Sequence, residues 1–161
     1  MLFAQDLVGL INYGQSDTQI SSKSWGGSHL FVLLGFLDDS PGLSEFAQNV
    51  AQRGIPTTVR SYSDWPALAR EAIDQYKSGR LRSIMIVGHS FGGRAALDMA
   101  AELGRSRVPV RLVVTLDPTG GSKVLTNVHR TINFRPRGHE DHLSVIAAHR
   151  RDLIGYVLAN R

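Results

Sequence analysis

The chain has 161 residues, 42% of them hydrophobic and 20% charged, which fits one soluble domain with a core large enough to fold without staples. It has no cysteine, which excludes a disulfide framework, a thiolate metal site and a cysteine nucleophile. The formal net charge of +4 is carried by arginines scattered from Arg53 to Arg161, and Glu140 and Asp141 follow the densest group, so the balance reads as a solvated surface rather than a nucleic-acid interface.

Met1 to Tyr13 is mildly apolar, carries Asp6 and has no basic residue, so it lacks the charged start and long apolar core of a signal peptide. No run approaches the roughly 18 apolar residues of a membrane span. A cytoplasmic protein is therefore expected. Gly14 to Gly27 is rich in Ser, Gly, Gln and Thr. Residues 1–28 are expected to form a leader, partly disordered, ahead of one domain over 29–161.

From His29 the chain alternates between short apolar runs and helical spacing. His29 to Leu34 suits a strand buried on both faces. Ser40-Pro41 reads as a helix start, followed by Leu43, Phe46, Ala47, Val50 and Ala51 at helical spacing and by Gly54 as a stop. Pro56 to Ser61 suits a short strand. Ser63 or Asp64 caps a second helix with Leu68, Ala69, Ala72, Ile73 and Tyr76 on one face, and Gly79 falls where a left-handed residue ends it. Ser83 to Val87 is a buried strand, Gly92 to Leu103 an alanine-rich helix, and Val110 to Leu116 another strand. Val128 to Phe134 is a more polar strand, and Leu143 to Leu158 a terminal helix. About five strands separated by helices predict a three-layer α/β sandwich with a mostly parallel sheet. Such sheets bind ligands beyond the carboxyl ends of their strands, so chemistry is sought just after each strand.

After the third of these strands stands Gly88-His89-Ser90-Phe91-Gly92-Gly93, a G-x-S-x-G pattern between a strand and a helix. The pattern alone is a weak signal; the strand before it and the helix after it give it meaning. A Ser on a very tight turn is held in a strained conformation that presents its hydroxyl, and the flanking glycines let strand and helix approach. The following helix N-terminus offers N–H groups to a developing oxyanion. Ser90 is thus the candidate nucleophile, and Phe91 the first oxyanion donor through its backbone N–H. A serine hydroxyl needs a base and an orienting acid. Asp117, at the carboxyl end of the next strand, is the acid candidate. Among the downstream histidines, His142 is favoured as base because it lies where a loop meets the last helix, with His139 the runner-up. The second oxyanion donor is expected in the loop Gly35 to Ser40, from the N–H of Phe36 or, failing that, Leu37.

These residues resemble the α/β-hydrolase superfamily over about His29 to Asn160, through the Gly88-to-Gly93 motif, Asp117 and His142. The size is similar to the minimal lidless lipases and cutinases, and an acid directly after the next strand resembles thioesterase domains. The resemblance implies a minimal α/β-hydrolase fold and acyl-enzyme chemistry on a small-molecule ester or thioester. Three features depart from the pattern: two N-terminal antiparallel strands are not evident, only a short Gly-rich loop separates Thr119 from Val128, and Gly35-Phe36 replaces the usual His-Gly of the oxyanion loop.

Thr119 to Lys123 fails phosphate-loop spacing, and no helix carries a His-x-x-x-His pair. No metal and no cofactor are expected. The competing reading is a non-catalytic module that holds a ligand or partner on the same fold.

Overall fold

A computed structural model describes residues 11–13 and 27–161. The strands are β1 (Ile11–Tyr13), β2 (Gly27–Leu34), β3 (Thr57–Ser61), β4 (Leu81–His89), β5 (Val110–Leu116) and β6 (Val128–Phe134). The helices are α1 (Leu43–Gln52), α2 (Trp65–Lys77), α3 (Phe91–Arg105) and α4 (Val145–Ala159). The strands form one sheet in the order β1-β3-β2-β4-β5-β6, and every pairing is parallel.

Alternation along the strands builds the two sides of the sandwich. Leu30 and Val32 of β2, Met85 and Val87 of β4 and Leu112 and Val114 of β5 pack with α1 and α4. Phe31 and Leu33, Ile84 and Ile86, and Val110 and Val113 pack with α2 and α3 on the other face. Central strands buried on both faces read as continuous apolar runs, which is why β2, β4 and β5 were visible in the sequence. β6 is an edge strand, and its exposed His129, Arg130, Thr131 and Asn133 explain its polar composition.

Several boundaries differ from expectation. The expected leader lies mostly outside the described residues; of its described part, Ile11–Tyr13 pairs with β3 as a sixth strand, and Gly27 and Ser28 open β2. The first helix begins at Leu43 after a left-handed Gly42, and Ser40 does not cap it with its side chain. The last helix begins at Val145, two residues after expected, because Asp141 Oδ1 accepts the N–H groups of Leu143 and Ser144 and shapes a turn ahead of it.

The strand order reverses between β2 and β4: the chain runs from β2 outward to β3, then crosses back to β4 and onward to β6. The crevice at the carboxyl ends of β2 and β4 is the topological switch point, where open α/β sheets place their ligands.

Candidate active site

Ser90 stands at that switch point with φ 58° and ψ −121°, a conformation that L-residues rarely adopt. The turn exists because its glycines cannot be anything larger. A Cβ on Gly88 would lie 2.0 Å from the Gly92 carbonyl oxygen, and one on Gly92 would lie 2.0 Å from the Leu33 carbonyl oxygen. The end of β4, the start of α3 and the end of β2 therefore touch backbone to backbone. The Ser90 N–H donates to the Leu116 carbonyl and the Thr119 N–H to that of Ser90, which tie the turn to the end of β5.

Asp117 follows β5 with φ 42°, and its N–H donates to the Phe134 carbonyl of β6. Its carboxylate receives His142 Nδ1 at 2.7 Å and, more distantly, Arg135 at 3.4 Å. A carboxylate only accepts, so the proton of this bond sits on Nδ1 and leaves the Nε2 lone pair of a neutral His142 free. The His142 ring packs against the His89 ring with centroids 4.7 Å apart, which sets it beside the turn that carries Ser90. The Ser90 hydroxyl itself makes no hydrogen bond to a described residue, so the Ser90–His142 link is open in this conformation.

The loop after β2 approaches from the other side. A Cβ on Gly35 would lie 3.3 Å from Ser90 Cβ. Gly35 donates its N–H to Ser40 Oγ at 2.8 Å, which leaves Phe36 as the next donor along the loop. Leu37 and Asp38 both have positive φ, 53° and 59°. Phe36, Tyr62 and Phe91 form an aromatic group, with Phe91 5.3 Å from Tyr62 and 6.0 Å from Phe36 between ring centroids. Phe36, Leu37, Phe91 and Leu143 are exposed by 56, 81, 44 and 40%. Each adjoins a candidate site residue or lies in the loop after β2, where Asp38 and Asp39 are exposed as well.

His89 and Ser40 are functional-looking residues that sequence reasoning did not single out. His89 is fully buried, with Nδ1 2.9 Å from Ser40 Oγ and Nε2 2.6 Å from the His142 carbonyl oxygen. Burial lowers its pKa below the usual imidazole value, and the hydrogen bond to His142 opposes that only in part, so the ring is neutral at neutral pH. His89 occupies a free position of the G-x-S-x-G pattern, and its partners lie 49 and 53 residues away, so no local signal exposes it.

The other histidines lie elsewhere. His139 is exposed in the turn before Glu140. His149 stacks on Phe134 and contacts Glu140 at 3.2 Å. His129 lines a cavity of about 730 Å³ at the amino ends of β4 and β5, with Arg82, Arg111 and Arg161, at the opposite end of the sheet from Ser90. Among the described residues no group of His, Asp and Glu is arranged to hold a metal ion, and no helix is long and apolar enough to cross a membrane.

The chain matches no protein-family model and no curated protein sequence. Among solved structures it is similar to an acetylxylan esterase determined at 0.90 Å, with TM-score 0.57 and 13% identity over 85% of this chain and 99% of that one. It is likewise similar to an iodinated complex of acetyl xylan esterase at 1.80 Å, with TM-score 0.57 and 14% identity over 83% and 97% of the two chains. At such identities the likeness is one of fold.

Proposed function

We propose that this protein is a serine hydrolase that cleaves a carboxylic ester through an acyl-enzyme intermediate. The observation that carries the proposal is the contact of 2.7 Å between His142 Nδ1 and Asp117 beside a Ser90 held at φ 58°. The reading is further supported by the positions of Ser90, Asp117 and His142, which follow three neighbouring parallel strands at their carboxyl ends.

In this reading Ser90 Oγ attacks the substrate carbonyl and His142 Nε2 takes its proton. Asp117 holds the Nδ1 tautomer and stabilises the imidazolium. The N–H groups of Phe36 and Phe91 stabilise the oxyanion; those of Gly35 and Ser90 are already committed to Ser40 and Leu116. As the tetrahedral intermediate collapses, the bond from the carbonyl carbon to the leaving oxygen breaks and His142 returns the proton to that oxygen. Water, activated by the same imidazole, then attacks the acyl-Ser90 ester and releases the acid. The open Ser90–His142 link closes when substrate excludes water from the crevice, as such contacts commonly tighten on binding.

The esterase activity named for proteins of similar fold supports an oxygen ester over a thioester. The exposed apolar side chains of Phe36, Leu37, Phe91 and Leu143, near the candidate residues in sequence, support an apolar acyl group of several carbons. The open Ser90–His142 link is the observation that favours the second reading, a binding module without catalysis. Chromogenic esters of graded acyl length separate the two. The hydrolase reading expects turnover that rises with chain length, falls by at least about 10³-fold in Ser90→Ala and His142→Ala, and falls by about 10³–10⁴-fold in Asp117→Asn. A folded protein that turns over no ester in the series, or whose Ser90→Ala variant retains the parental rate, contradicts it.

A further inference from the structure

The hydrogen bonds around His89 have only one consistent direction. The His142 carbonyl oxygen can only accept, so His89 Nε2 carries the proton of the 2.6 Å contact. In the neutral ring Nδ1 is then an acceptor, so at 2.9 Å Ser40 donates its hydroxyl proton to it. Ser40 Oγ in turn accepts the Gly35 N–H at 2.8 Å. The result is a directed chain in which Gly35 donates to Ser40, Ser40 to His89, and His89 to the backbone of His142. All of its members except His142 are buried.

We propose that His89 is a positioning residue that fixes the oxyanion loop and the base-bearing loop to the nucleophile turn through these two arms. This rests on the serine hydrolase reading of Ser90, His142 and Asp117. The covalent chain supplies the third tie, because His89 is bonded directly to Ser90. One arm holds His142 by its carbonyl while Asp117 holds the same residue by its ring. The other arm holds the Gly35 N–H, one residue before the Phe36 N–H assigned to the oxyanion. Loop residues otherwise have freedom to drift, and a misplacement of about 1 Å can cost roughly 10²-fold in rate.

The two arms can be cut separately. Asn at position 89 places its side-chain oxygen near the Nδ1 site and keeps the Ser40 arm. Gln places its amide N–H near the Nε2 site and keeps the His142 arm. Ser40→Ala removes the Ser40 arm with His89 intact. For His89→Asn, His89→Gln and Ser40→Ala, three quantities are read: kcat and KM on an ester, the rate of inactivation by a fluorophosphonate, and the downfield proton resonance of the His142–Asp117 hydrogen bond. Circular dichroism and thermal melting confirm that each variant is folded.

Each variant is expected to lose about 10- to 100-fold in kcat and in inactivation rate with KM little changed, the scale of a small misplacement of the catalytic groups. The resonance is expected to shift or broaden in His89→Asn and to persist in His89→Gln and Ser40→Ala. A purely structural His89 would not split the variants in this way. Parental rates and an unmoved resonance in folded His89→Asn overturn the proposal, as does an identical response of that resonance in all three variants. Should the parent protein prove inert to esters and fluorophosphonate, the hydrolase reading fails. The resonance pattern still decides whether His89 positions His142. If His89→Asn does not fold, His89→Gln and Ser40→Ala carry the test: both overturn the proposal if their rates equal the parent's.

Discussion

Ser90 holds φ 58° on an ordinary side chain, and it is not alone: Leu37, Asp38 and Asp117 also have positive φ around the same crevice, with Arg107 the one such non-glycine residue elsewhere among those described. Strain of this kind costs about 1–3 kcal/mol per residue and persists where the surroundings impose it. Ser90→Gly is therefore expected to be more stable than Ser90→Ala by about 1 kcal/mol in urea unfolding, while both lose turnover; equal stability would argue against strain at the turn. A second residue sets a pH limit on the fold. His29 on β2 bonds Thr58 through Nε2 at 2.8 Å, whereas its buried Nδ1 has no partner among the described residues, and burial lowers its pKa to about 3. The unfolded chain takes up this proton near pH 6.5 and the folded chain only near pH 3. His29 thus contributes no pH-dependent penalty above about pH 6.5, and stability falls as the pH drops from there toward 3. Between pH 7 and pH 5 the loss from this group is about 2 kcal/mol. His29→Leu leaves Thr58 unpaired and lowers stability at pH 7, yet its unfolding free energy is expected to change less between those two pH values than the parent's by about that amount. Parallel pH dependences would contradict the assignment.

At the scale of elements, the site depends on β4, α3 and β2 meeting at distances that only glycine permits. Gly92→Ala forces α3 away from Leu33 and is expected to cost at least about 3 kcal/mol in unfolding free energy and to abolish ester turnover. Gly155→Ala, on α4 with open space at its Cβ, is the contrasting case and is expected to stabilise the protein by about 0.5–1 kcal/mol without changing activity. Melting curves of the two variants check both, and a Gly92→Ala protein as stable and active as the parent would rule out the close approach. The same elements show what a sequence reveals. Local signals were strong: the apolar runs of β4 and β5, the alanine face of α3, and the glycine at position 79, which has φ +77° after α2. Ser40 reads as a helix cap because Ser before Pro ahead of an apolar stripe is a local cap signal. Its hydroxyl instead serves Gly35 and His89, and only folding brings His89 within reach. β1 was missed because three residues beside a Ser- and Gly-rich stretch carry too little periodicity to mark a strand.

At the scale of the molecule, an all-parallel sheet collects at one end every loop that follows a strand. Gly35 and Phe36 follow β2, Ser90 follows β4, Asp117 follows β5 and His142 follows β6, so residues spread over more than 100 positions lie at one end of the sheet. That convergence explains why the order of motifs along the chain carries information about the site. The strand order itself, with β2 between β3 and β4, is not written in any local pattern and emerges from the crossovers. The choice between His142 and His139 was open in the sequence for a similar reason. Both lie in the same polar loop, and the contact of 2.7 Å between His142 and a carboxylate 25 residues earlier, which supports the proposed base, is a long-range pairing that no local pattern records. The most direct test of the central claim is mass-spectrometric mapping of the folded protein after exposure to a fluorophosphonate. A nucleophilic Ser90 predicts one adduct, on the tryptic peptide Ser83–Arg94, absent from Ser90→Ala and from acid-unfolded protein. No adduct on the folded protein, or an adduct that persists in Ser90→Ala, would contradict it.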